Sequence, residues 1–145
     1  MSDYPFTTHP FNTAAAPGTD LSASDGRAVS VTGVALIPGS QGTIAVNAGV
    51  TLADGVLVRC PAGPSEQAIV AVAGEVEMVV GAGVAFNPAV PCLVGVDALG
   101  AATPLTVFPP AAAVFVIGRP SYQNGAARTA GQRINVILNP HLMSA

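Results

Sequence analysis

Glycine and proline interrupt this chain so often that long helices are excluded. There are 16 glycines and 13 prolines among 145 residues, one residue in five, and no stretch holds a helical period over ten residues. What survives between the breakers reads as short strands. Val29 and Val31 alternate with Ser30 and Thr32, and after Gly33 the apolar phase moves by one, to Val34 and Leu36. A phase change at a glycine is what a β-bulge or a simple bend produces. Residues 43–46 form a second candidate. Residues 50–52 and 56–60 flank Ala53-Asp54-Gly55, which reads as a hairpin turn in which Gly55 supplies a positive φ. Pro61-Ala62-Gly63-Pro64 ends that strand.

Residues 68–73 are an apolar run of the buried type, broken by Gly74. In residues 75–80 both acids, Glu75 and Glu77, fall on one face, with Val76, Met78 and Val80 on the other. Cys92, Val94 and Val96 share a face of the next strand, which ends at the turn Asp97-Ala98-Leu99-Gly100. Residues 113–119 are apolar on both faces and belong in the middle of a sheet. Residues 133–138 alternate until Pro140, where the strand is expected to stop. The class is all-β: a small β-barrel or β-sandwich of about eight or nine short strands.

The length suits one domain, with about two thirds of the unfolded surface buried on folding. Residues 1–26 lack any period and read as an extended N-terminal arm; residues 27–145 are the β-domain. Tyr4, Phe6 and Phe11 lie in that arm among Pro5, Pro10 and Pro17. A frayed terminus is the plain alternative. Three aromatics instead favour an arm that packs on its own domain, a sister subunit or a lattice neighbour, and they are the candidate partner-binding anchors.

Only 9% of residues are charged, against about 25% in ordinary soluble domains. There is no lysine, and the basic residues are Arg27, Arg59, Arg119, Arg128 and Arg133. A surface this poor in charge resists aggregation badly, so part of it is expected to be covered by other protein. The net charge of −3 and the scattered arginines argue against a nucleic-acid partner, which needs several phosphate contacts together. The longest apolar run, residues 111–117, is far short of the about 20 residues of a membrane span. No membrane partner is expected. An acid in the opening Met1-Ser2-Asp3-Tyr4-Pro5 is unlike a secretion signal, and synthesis in the cytoplasm is the default expectation.

Candidate chemistry is sparse. His9 and His141 have no neighbouring acid or cysteine at metal-ligand spacing, and a catalytic triad could arise only through folding. Glu75 and Glu77, about 6.5 Å apart along a strand, approach the spacing of glycosidase carboxylates. Such sites also need stacking aromatics, and here aromatics are 5% with no tryptophan. A solvated or subunit-facing strand edge accounts better for the pair. Gly81-Ala82-Gly83 begins like a dinucleotide loop, but Phe86 replaces the third glycine and no helix follows. Cys60 and Cys92 fall on apolar strand faces and read as buried free thiols, a disulfide being the alternative. Asp54, Asp97 and Asn124 suit turns. No catalytic residue, metal ligand or cofactor site is assigned, and no enzymatic activity is expected.

Four short motifs are familiar in their order. Residues 71–80, Ala-Val-Ala-Gly-Glu-Val-Glu-Met-Val-Val, form a strand, an Ala-Gly step and a second alternating strand. Leu93-Val94-Gly95-Val96-Asp97-Ala98-Leu99-Gly100 is a strand closed by an Asp-x-x-Gly turn. Val116-Ile117-Gly118 follows, and Ala130-Gly131-Gln132-Arg133-Ile134-Asn135-Val136-Ile137-Leu138 closes the series. Over residues 46–138 the chain resembles the small head decoration, or capsid cement, proteins of tailed bacteriophages, including cyanophages. Arg119-Pro120 departs from the small apolar residues usual after Ile-Gly, and the first 45 residues lie outside the resemblance.

The resemblance implies a non-enzymatic structural protein of the virion, a β-barrel or sandwich acting as a homotrimer. Its partners would be the major capsid protein and its own copies. It would sit on the outer capsid surface at threefold and quasi-threefold positions, bridging capsomers and stabilising the shell. An ordered arm would multiply the contacts of one trimer without strengthening any single one. Two other functions compete. A receptor- or glycan-binding β-module of a phage tail or spike would expose clustered aromatics or acids. A small trimeric β-enzyme, such as a nucleotide hydrolase, would need a magnesium-binding acid beside a glycine-rich turn.

Overall fold

A computed structural model describes residues 6–13, 21, 23–33, 43–59, 67–121 and 125–145. Every regular element among them is a strand: β1 (Phe6–Thr13), β2 (Ala28–Gly33), β3 (Thr43–Val46), β4 (Gly55–Arg59), β5 (Gln67–Val79), β6 (Ala85–Phe86), β7 (Leu93–Val96), β8 (Ala102–Leu105), β9 (Val114–Pro120), β10 (Arg128–Thr129) and β11 (Arg133–Met143). Nine of them make one sheet in the order β1-β3-β2-β4-β5-β11-β9-β7-β8, and β6 and β10 form a separate ribbon. The protein is all-β. Among the described residues the strand pairings are antiparallel except β1 with β3.

The sheet curls. β1 pairs with β5 as well as β3, so β1, β3, β2, β4 and β5 close a five-stranded ring. The second half of β5 carries the sheet onward through β11, β9 and β7 to β8. The far end bends back until Val80 bridges Ala102 and the Gly81 amide donates to the Ala102 carbonyl at 2.9 Å. This half is a curled sheet rather than a second closed barrel.

β5 is the member common to both halves. The apolar run is not broken at Gly74; the strand passes through it, with Gly74 at φ +93°. Before that residue β5 pairs with β1 and β4, and after it with β11. An L side chain seldom adopts such a φ, so glycine is the residue that lets one strand turn from one partner set to the other.

Two cores result, and β2, β4 and β5 form a wall between them. Ala28, Val56 and Ala71 point into the larger core with Met78, Val94, Ile117 and Ile134. Their chain neighbours Val29, Leu57 and Val70 point into the smaller one with Ile44 and Leu21. Successive side chains of a strand face opposite ways, so a wall buried on both sides must be apolar at consecutive positions. Residues 68–71 and 56–57 satisfy that demand. β9 is likewise interior, between β11 and β7.

Three local expectations are corrected. Residues 50–52 are not a strand and Gly55 is not in a hairpin turn. β4 starts at Gly55 because its backbone lies against the Ala71 carbonyl of β5, where a Cβ would collide. Asp54 has another role, accepting the Val31 amide at 2.7 Å. Pro140 does not end the last strand, which continues to Met143. The β11–β9 register slips between Leu138 and His141, so the residue without an amide proton sits where the ladder skips. At Gly33 the sheet does carry an irregularity, a β2–β3 register shift between Val31 and Gly33. The Asp97 turn is as read. Its Oδ1 accepts the Leu99 and Ala101 amides at 2.8 and 2.9 Å, and Gly100 takes a φ of +81°.

Candidate functional site

Of the three aromatic anchors, Tyr4 lies outside the described residues. Phe11 is in β1 opposite Ala68, and its side chain is outside them too. Phe6, at the start of β1 opposite Gly74, is half-buried and packs against the larger core. Residues 6–12 of the arm therefore lie along β5 of the same chain.

The Phe6 ring forms one wall of a polar cavity of about 700 Å³. Alternation in β5 turns Val76 and Met78 inward and leaves Glu75 and Glu77 on the opposite face. Antiparallel pairing places Asn135 across from Glu77 and Ile137 across from Glu75, and Arg133 follows on the same face of β11. The turn at residues 23–27 closes one side. The Gly26 amide donates to Leu57 and its carbonyl accepts from Val79. Asp25 pairs with Arg133 at 3.0 Å. Both partners are substantially exposed, and such a pair stabilises the fold by about 1 kcal/mol at most.

β11 covers one side of Glu75 and Glu77, and on the other side the 23–27 turn bonds β5 at Val79. Their environments differ: Glu77 is exposed, whereas Glu75 is half-buried and its Oε1 is buried with no hydrogen-bond partner among the described residues. Their near cation already has a carboxylate, Asp25.

The remaining sequence candidates are dispersed. The half-buried His141 shares a 2.6 Å hydrogen bond between its Nδ1 and the Asn139 carbonyl. His9 lies in β1 opposite Val70, its side chain undescribed. Gly81-Ala82-Gly83 forms the turn between β5 and β6. Cys60 and Asn124 lie outside the described residues. Among the described residues, no group of three potential metal ligands comes together.

Cys92 is a free, half-buried thiol, and burial raises its pKa above the ordinary value. The thiolate is the reactive form, so less of it is present at neutral pH than in the unfolded chain. Iodoacetamide should therefore alkylate Cys92 several-fold more slowly in the native protein than in urea, as followed by peptide mass mapping. Equal rates would show an accessible, ordinary thiol.

One residue that sequence reasoning passed over organises a whole loop. Asn47, only 3% exposed, donates from Nδ2 to Ser30 Oγ at 2.6 Å and to the Thr51 carbonyl at 3.1 Å. Its Oδ1 accepts the Gly49 amide at 2.7 Å. These bonds hold residues 47–54 in the place where a hairpin was expected. The nearest sequence signal was the Asn-x-Gly spacing of Asn47 and Gly49, which suits an Asx turn.

The open end of the sheet is uncharged. β8 is the terminal strand in the sheet order, and beside it Val107 is 66% exposed and Phe108 49%. Leu142, near the end of β11, is 54% exposed. A groove here is walled by Leu105, Val107, Pro110, Val114 and Met143, and among the described residues no charged side chain lines it. No family model, curated protein or solved structure matches the chain.

Proposed function

We propose that this is a capsid cement protein: a non-enzymatic homotrimer that binds the outer surface of a phage head at threefold and quasi-threefold positions and bridges capsomers. The observation that supports it best is the uncharged end of the sheet. A terminal strand followed by exposed Val107 and Phe108, with Leu142 exposed on β11, leaves apolar surface that natural proteins cover or protect with charge. This chain has few charges to place there. A second copy of the same chain covers such an edge at no cost in ion desolvation. The ordered motifs of residues 71–138 that resemble head decoration proteins supply the partner, the capsid lattice.

Each of the three side chains is about half exposed, so its burial contributes about 1 kcal/mol, and about 3 kcal/mol per protomer in all. Replacing Val107 and Phe108 by serine should move the protein from trimer toward monomer in sedimentation experiments and empty the capsid sites in electron micrographs of decorated particles. A monomeric wild-type protein that leaves mature heads bare would refute the proposal. Tyr4 and Phe11 remain the proposed arm anchors toward the shell. Phe6 is a poorer test of that role, because it also packs against the core.

A further inference from the structure

All five cations of the chain are arginines, and two of them, Arg119 and Arg128, line a single cavity of about 350 Å³. Arg119 is near the end of β9, and Arg128 opens β10, where pairing sets it across from Phe86 of β6. Among the described residues neither guanidinium has a carboxylate partner, and the one side-chain hydrogen bond of Arg128 is a 3.4 Å contact to the Ala126 carbonyl.

Apart from Asn87 and Ser121, the rest of the cavity lining is apolar and stiff. Phe86 and Ile134, 4% and 1% exposed, belong to the larger core, and Val90 and Cys92 stand beside them. Pro88, Pro91 and Pro120 complete the wall. Their fixed φ angles make this a shape formed before any ligand arrives, which lowers the ordering cost of binding.

We infer that this cavity binds one carboxylate carried on a short apolar stem, and that its occupant is the C-terminal residue of a partner peptide ending in an apolar side chain. Guanidinium groups take a carboxylate through paired, charge-assisted hydrogen bonds, and capture of a chain terminus is a recurring mode of peptide recognition. The volume sits at the small end of ligand pockets, about 300–1,000 Å³, and so suits a residue or two rather than a long segment. A polyanion fits poorly. Among the described residues only Arg119 and Arg128 line the cavity as cations, fewer than the several phosphate contacts a polyanion needs. This inference stands apart from the capsid proposal, since a terminal carboxylate could come from any partner chain.

The test is a titration of the isotope-labelled full chain, followed by backbone amide shifts, with three probes. These are acetyl-Gly-Gly-Leu as the free acid, the same peptide as its C-terminal amide, and inorganic phosphate. The free acid should give saturable shifts at Phe86, Cys92, Ser121 and Arg128, with the amide binding at least about tenfold more weakly, because hydrogen bonds to charged groups are the stronger ones. R119Q and R128Q should each weaken the acid and leave the amide unchanged, and bound acid should slow alkylation of Cys92. Arg119 is exposed, so R119Q alone decides the matter if R128Q perturbs the fold. Equal binding of acid and amide, no binding of the acid, or phosphate displacing the acid at lower concentration than the acid itself requires would each overturn the assignment.

Discussion

Replacing Gly118 by valine is expected to prevent folding. Gly118 lies in β9, opposite Leu138 of β11 on one side and Val94 of β7 on the other. A Cβ at this position would run into the Ile137 carbonyl oxygen, and would come within 3.0 Å of the carbonyl carbon and 3.1 Å of Val136 Cγ1. The obstacle is mostly backbone, and it cannot swing aside as a side chain does. β9 cannot retreat either, because it is paired on both edges. The cost should exceed about 4 kcal/mol, a large part of the 5–15 kcal/mol that holds a typical domain together. Gly118→Ala should fall in the same direction with a smaller loss. At Gly125 an added Cβ meets nothing within 4 Å, so Gly125→Ala should stay within about 0.5 kcal/mol of the parent. Urea unfolding followed by far-ultraviolet circular dichroism measures all three, and a cooperative, near-parental Gly118→Val transition would contradict the close packing of β9 on β11.

Asn47→Ala should produce the next largest loss, about 3 kcal/mol. The side chain is buried and serves donors and acceptors at once, so its removal leaves the Gly49 amide and the Thr51 carbonyl without their partner. Each buried group left unpaired costs about 1–3 kcal/mol. Asn47→Asp separates shape from hydrogen bonding. It keeps an acceptor for Gly49 but sets a carboxylate facing the Ser30 hydroxyl and the Thr51 carbonyl. Burial favours the protonated acid, so the pKa of the introduced carboxyl should be higher folded than unfolded. The stability of this variant should be greatest in acid and be lost as the pH rises from the unfolded value through the folded one. The parent carries no such ionisable group at this position. A pH-independent difference between the two proteins, read from their unfolding midpoints, would place Asn47 outside the buried network.

The Asp97 turn and the arginine cavity show opposite limits of legibility. Asp97-Ala98-Leu99-Gly100 was readable because its hydrogen bonds run between residues two to four apart and its left-handed position accepts glycine. The boundaries of β3 and the inward face of Val76 and Met78 were readable for a similar reason, as alternation is a local property. Gly55 and Gly118 were not. A glycine required by a neighbouring backbone looks the same in a sequence as a glycine required by a turn, and Ala71 and Ile137 lie far along the chain from the glycines they touch. Glu75 and Glu77 were found as a pair, but their pairing to β11 and the burial of the Glu75 Oε1 were not. Arg119 and Arg128 were read as two of five scattered arginines, and nothing in the sequence brought them together.

The density of glycine and proline, with alternation in the runs between them, was enough by itself to determine an all-β chain rich in turns, although β5 and β11 run to 13 and 11 residues. Tertiary structure decided the rest: that consecutive apolar residues in β2, β4 and β5 divide two cores, that one strand passes through Gly74 to serve both halves of the sheet, and that Arg119 and Arg128 share a cavity. Strand periodicity and turn geometry arise from contacts a few residues apart. Strand partners are chosen by burial summed over the whole molecule, and no short segment carries that information.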